Sequence, residues 1–279
     1  MLNSSAPSSP ADPRRRSGGS AAWRAVADNA AATVILGGLI AAWELACRLG
    51  QVPQWLLPAP SRIAAELWDA RAILPGHILT TTTEVAAGFG AAVLAGVPLS
   101  VLIVSSPLAR KVTYPPLLVL QSVPKVALAP VILLWVGYGT GSKILIAALT
   151  AFFPIIVNTT TGMNAVPAEL LELSRSLDAP TLKTFWKVRL PFAMPYLFSG
   201  MKVAMALAVI GAVVGEFVGS DRGLGYLILT FSSTMNTPLV FGAMTILAIL
   251  GVAMFYAVAI AERLVCPWYS ATQDARHLS

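Results

Sequence analysis

Four stretches of this chain contain no Asp, Glu, Lys or Arg: Val85–Ala109, Val126–Ser142, Ile144–Ala168 and Gly223–Ala261. A helix that crosses a bilayer needs about 20 mostly apolar residues. The last stretch is long enough for one crossing plus a loop and a re-entry. Charged residues make up only 11% of the chain and hydrophobic residues 56%, with a mean hydropathy of +0.73. A soluble domain carries about 25% charged and about 45–50% apolar residues. This chain cannot cover itself with a solvated surface, so an all-α, polytopic membrane protein is expected.

Six spans are predicted, near residues 29–48, 78–104, 112–137, 143–163, 196–218 and 240–264. Residues 1–28 are rich in Ser, Pro and Ala, carry "PRRR" at Pro13–Arg16 and lack an apolar period, so they read as a disordered tail. Residues 265–279 form a second tail, and 29–264 the membrane domain between them. Basic residues ahead of an apolar run also describe a signal peptide. Glu44, however, stands where a lipoprotein site wants a small or apolar residue, and more spans follow, so an uncleaved first helix is expected. The segment Gln51–Leu74 is too charged to span; its Trp55 and Trp68 suit an interfacial helix.

With the N-terminus inside, twelve Lys and Arg fall on cytoplasmic connections, Arg110, Lys111, Arg175, Lys183, Lys187, Arg189 and Arg263 among them. Five fall outside: Arg48, Arg62, Arg71, Lys143 and Arg222. That bias places both termini in the cytoplasm. The net charge of +6 is therefore orientation bias, and no soluble basic domain exists to bind nucleic acid. Cys47 and Cys266 fall at opposite membrane faces, which argues against a disulfide, and the isolated His77 and His277 have no metal-ligand spacing.

The stretch "AELLELSRSLDAPTLKTFWKVRLPFAMP", Ala168–Pro195, breaks the apolar pattern on the cytoplasmic side. Read as helix, Leu170, Leu173 and Leu177 form one stripe, with Glu172, Arg175 and Ser176 opposite. The residue before a proline leaves the α region, so Asp178–Pro180 marks a break. Asp178 is a candidate cap for a second helix, Thr181–Val188, which carries Leu182, Phe185 and Trp186 beside Lys183 and Lys187. Leu190–Pro191 and Pro195 are expected to turn the chain back into the membrane. Two such amphipathic helices cover their apolar faces either on this protein and the lipid surface or on a soluble partner.

The spacing of Glu172-Leu173-Ser174, Asp178 and Val188-Arg189-Leu190-Pro191 resembles the EAA loop of ABC importer permeases, Glu-Ala-Ala followed by a Gly and then Ile-x-Leu-Pro. Both alanines and the glycine are replaced, but Asp tolerates the left-handed backbone a glycine turn needs. "WELACRLGQVPQWLLPAPSRI", "ILLWVGYGTGSKILIAALTAFFPIIVNTTTG" and "GEFVGSDRGLGYLI" resemble the branch that imports taurine, alkanesulfonates, nitrate and thiamine-precursor pyrimidines. "QSVPKVALAP" leans toward the pyrimidine, riboflavin or aromatic-acid members.

The resemblance implies a type I ABC importer permease fold in a bacterial inner membrane, with a coupling loop near 164–195. It implies no catalysis and no cofactor on this chain, since ATP and Mg bind a separate ATPase subunit. It also implies a periplasmic or lipid-anchored solute-binding protein and a homodimer in the lipid bilayer. Leu182, Phe185 and Trp186 would be contact or anchoring residues of the loop.

Inside the spans, Lys125 follows Pro124 in the third span and precedes Pro130. A buried cation costs at least about 2.5–3.5 kcal/mol at a helix centre, so it faces protein or a cavity. It is either a pathway charge or an internal partner of Glu84 or Glu216. Those two carboxylates, near the outer ends of spans two and five, are either pathway groups or satisfied boundary charges. Asn158 and the hydroxyls after it line the inner exit or bond their own helix. The small residues Gly211, Gly215 and Gly219 suit close packing within the chain or a dimer seam. "GYGTGSK" fails the nucleotide-loop pattern, because Lys143 does not follow glycine and Ile144 is not Ser or Thr. An ion-gradient carrier or channel is the alternative; it would call for paired intramembrane carboxylates and an inverted repeat, and neither is legible in the sequence.

Overall fold

The computed structural model describes residues 18–268, and every regular element among them is helical. Arg14–Arg16, Arg276 and His277 lie outside the described residues. In the N-terminal unit, which runs to Arg62, helix α1 spans Gly18–Leu49, so helical backbone begins ahead of the predicted Asn29. Glu44, near the end of α1, pairs with Arg48 and accepts from the Ser61 amide at 2.9 Å and the Ser61 hydroxyl at 2.6 Å. It thereby satisfies a first-turn N–H of α2, Pro60–Asp69. That role explains a carboxylate at the end of an apolar helix.

The second unit begins at Ile63. It contains α3 (Leu74–Ser105), α4 (Pro107–Ser122), α5 (Lys125–Val136), α6 (Thr140–Asn164), α7 (Ala168–Ser176), α8 (Thr181–Thr184), α9 (Leu190–Gly219), α10 (Leu224–Ser233) and α11 (Thr237–Val265). By length and composition, α3, α6, α11 and the continuous run Thr181–Gly219 can cross a membrane. Helix α1 and the α4–α5 pair stand where the first and third crossings are expected. The apolar stretch from Gly223 resolves into the short helix α10 and the long α11, started by Asn236, whose side chain accepts from the Leu239 N–H.

The third predicted span is two helices. Val123, held extended by the proline after it (φ −73°, ψ 127°), ends α4. Lys125 consequently opens α5 and does not continue one unbroken helix. The turn expected at Leu190–Pro191 is also absent. A π turn, Phe185–Arg189, carries α8 into α9, and the Leu190 amide reaches back five residues to the Phe185 carbonyl. Pro191, which has no N–H to give, falls in the first turn of α9.

Helix α6 packs against both α3 and α9. The α6–α9 seam is made of small buried residues, Ala147 and Ala151 facing Ala204, Ala208 and Ala212. A Cβ on Gly211 would stand 2.8 Å from the Ala147 Cα, so the two backbones touch there. Gly211 and Gly215 therefore serve packing within the chain.

Candidate functional site

The Ala168–Pro195 stretch forms two short helices with an abrupt turn between them. In α7, Glu169 lies in the first turn and Arg175 in the last, both favourable to the helix dipole. The helix ends in a Schellman motif: the Ala179 amide donates to the Ser174 carbonyl at 3.0 Å and the Asp178 amide to the Arg175 carbonyl at 2.9 Å. That motif requires a left-handed residue, and Asp178 supplies it with φ +47°. Asp178 acts through its backbone, not as the side-chain cap of the next helix. Pro180 precedes α8, and its carbonyl accepts from the Thr184 amide at 3.0 Å.

The turn sets α7 and α8 around a groove of about 680 Å³ that also abuts the end of α3. Arg175, Leu182, Phe185 and Trp186 line it together with Val104 of α3. Phe185 and Trp186 meet edge to face, ring centroids 5.6 Å apart. The apolar stripe is uncovered: Leu173 is 55% exposed, Leu177 71%, Leu182 69% and Trp186 59%. Glu172 is exposed on α7 outside the groove, and Leu190 and Pro191 lie beyond it at the start of α9.

A second constellation sits at the other ends of the helices. Glu216 of α9 and Glu84 of α3 are fully buried, and Lys143 in the first turn of α6 is 3% exposed. Lys143, placed in an outer connection by the sequence, is thus a core residue. It, and not Lys125, is the cation facing Glu84. Its Nζ also donates to the Tyr138 carbonyl at 3.3 Å.

Glu216 has a specific task. It accepts from the Thr81 hydroxyl at 2.6 Å and from the Gly225 amide in the first turn of α10. Thr81 in turn accepts from the Leu224 amide at 2.8 Å, and His77 Nδ1 from the Gly223 amide at 3.0 Å. The orphan amides of α10 are therefore satisfied by side chains from α3 and α9. Gly223 has φ +111°, and a Cβ there would run into the Glu216 carboxylate. Among the described residues, no N–H or hydroxyl donor reaches either carboxylate oxygen of Glu84. The structure brings Glu84 and Glu216 together, the buried carboxylate pair that the sequence does not reveal.

The other polar candidates are elsewhere. Pro124 precedes α5 and is exposed, and Lys125 is half-buried. The Asn158 amide donates to the Pro154 carbonyl of its own helix at 2.9 Å, and its Cβ fills the space left by Gly200. Among the described residues, none of the three hydrogen-bonds to Glu84 or Glu216. Thr81 and Lys143 escaped sequence reasoning; the short spacing from Glu216 to Gly223 and Gly225 was the available signal for the capping.

Comparison with known proteins shows the family. The model of the family described as binding-protein-dependent transport system inner membrane component matches residues 72–270. A probable ABC transporter permease protein of Haemophilus influenzae is 33% identical over 225 residues, 81% of this chain and 92% of that one. A riboflavin transport system permease protein of Chloroflexus aurantiacus is 34% identical over 232 residues, 82% of this chain and 87% of that one. A formylaminopyrimidine transport permease protein of Halalkalibacterium halodurans is 33% identical over 231 residues, covering 82% and 92%. In fold, the chain resembles a chain of the inward-facing MetNI methionine ABC transporter, with a TM-score of 0.56 at 23% identity over 75% of this chain and 98% of that one. The protein belongs to the binding-protein-dependent transport system inner membrane component family and is a membrane-spanning permease subunit of an ABC importer.

Proposed function

We propose that the Ala168–Pro195 stretch docks a separate ATPase subunit, which binds ATP and Mg, and that two copies of this chain enclose the pathway. The observation that carries this reading is the uncovered groove. Leu182 and Trp186 expose apolar surface along a cleft whose turn is held by backbone hydrogen bonds, and Leu173 and Leu177 expose more on α7 outside its lining. An exposed Trp beside Phe and Arg in one cleft is the residue make-up of a protein-binding patch. Closure of an ATPase pair would push on α7, and the continuous run Thr181–Gly219 would carry that displacement to the opposite ends of the helices.

The solute we propose is a small nitrogen heterocycle of the pyrimidine or flavin type, delivered by a periplasmic or lipid-anchored binding protein. Its support is the similarity, at 33–34% identity, to permeases named for formylaminopyrimidine and riboflavin. Sulfonates and nitrate, named for other relatives, rank behind it. The test is gentle detergent purification of the tagged chain from its native host, with mass spectrometry of what accompanies it. A stoichiometric protein with a nucleotide-binding loop is expected. A chain that emerges alone, while control complexes survive the same detergent, would overturn the docking role. Uptake of labelled aminopyrimidines and riboflavin, set against taurine and nitrate, tests the solute class.

A further inference from the structure

A second cavity, of about 610 Å³, lies where the end of α3, the start of α4 and the end of α6 meet. Helix α3 brings Ile103 and Val104, α4 brings Arg110 and Lys111, and α6 brings Thr160 and Asn164. The two cations are adjacent in the first turns of α4, whose start is fixed by Ser106 accepting from the Ala109 amide at 3.2 Å. Neither side chain has a carboxylate partner among the described residues. Both belong to the connection that the Lys and Arg bias assigns to the cytoplasm.

We infer that this cavity holds one anionic phospholipid of the cytoplasmic leaflet. Two unneutralised cations at the headgroup level meet the phosphate, while Ile103 and Val104 give an acyl chain an apolar wall. Basic pockets between spanning helices on this side select anionic headgroups. A zwitterionic lipid offers the same chain, but its ammonium cancels the charge that Arg110 and Lys111 call for. Val104 also lines the groove between α7 and α8, so the lipid adjoins the wall of that groove.

The test is native mass spectrometry of the full-length chain in mild detergent. It is titrated with phosphatidylglycerol, with phosphatidylcholine of the same acyl chains, and with inorganic phosphate. One phosphatidylglycerol per chain is expected, held several-fold more tightly than phosphatidylcholine. A cation beside an anionic headgroup contributes about fivefold in affinity. Arg110→Gln and Lys111→Gln should therefore each weaken retention about fivefold, and the double variant more. Arg263→Gln, at the end of α11 outside the cavity, should leave retention unchanged. The single variants keep the test decisive should the double variant fail to fold. Equal retention of the two lipids would overturn the site, as would an equal loss in Arg263→Gln, which would mean a diffuse basic surface. Displacement of the lipid by millimolar inorganic phosphate would reassign the cavity to a small anion.

Discussion

The Glu216 carboxylate on α9 accepts the Gly225 amide at the start of α10, so one buried side chain holds the orphan end of a neighbouring helix. With Thr81 it turns "GEFVGSDRGLGY" into a fixed corner at the outer ends of the spans.

Glu216→Ala should be strongly destabilising. It leaves the Gly225 amide and the Thr81 hydroxyl without their acceptor, at about 1–3 kcal/mol for each unsatisfied buried group. Thermal unfolding of the purified permease should show Tm lowered by several degrees. Gly223→Ala should reproduce the effect by collision and backbone strain alone, and an unchanged Tm in either variant would refute the corner.

Lys143→Met should cost more than Lys125→Ala. The first strips the buried Glu84 carboxylate of its cation, a class of change worth about 3–5 kcal/mol. The second removes a half-buried group at the start of α5. Adding Glu84→Gln to Lys143→Met should recover part of the loss, and a double-mutant cycle on Tm measures the coupling. Additive effects would mean that Glu84 and Lys143 do not interact.

Asp178→Gly should be tolerated and gain up to about 1 kcal/mol, because glycine occupies the left-handed region without a Cβ penalty. Asp178→Val, β-branched at φ +47°, should cost about 1–2 kcal/mol locally. Transport per ATP hydrolysed in reconstituted vesicles is the readout. Loss in Asp178→Gly equal to that in Asp178→Val would show that the carboxylate, not the turn, matters.

Trp186→Ala should weaken the ATPase interaction about 30-fold, the effect of losing an aromatic anchor worth about 2 kcal/mol, with little change in Tm because the ring is largely exposed. Pull-down of the ATPase by the tagged permease checks it. Unaltered capture would move the dock away from the groove.

How much was legible follows from how far apart the signals lie. The break at Asp178 could be read because Asp178 and Pro180 are near neighbours in sequence, and the left-handed turn follows from what Asp allows. The corner could not, because Thr81 and Glu216 are 135 residues apart and an isolated intramembrane carboxylate has no sequence-visible partner. Prolines were ambiguous for a local reason. Pro124 breaks the third span, whereas Pro115, Pro116 and Pro130 remain inside helices and Pro191 is absorbed beyond a π turn.

Apolar run length was sufficient to read a helical membrane protein, the Lys and Arg bias gave an expected orientation, and the spacing of one loop carried the resemblance to the ABC importer permeases. Each is a property of contiguous chain, set by transfer into lipid or by local backbone sterics. Which charge meets which was decided by packing. The close α6–α9 seam and the placement of α3 bring Glu84, Lys143 and Glu216 into one buried volume, and in that low dielectric only the partners actually present decide what each can do.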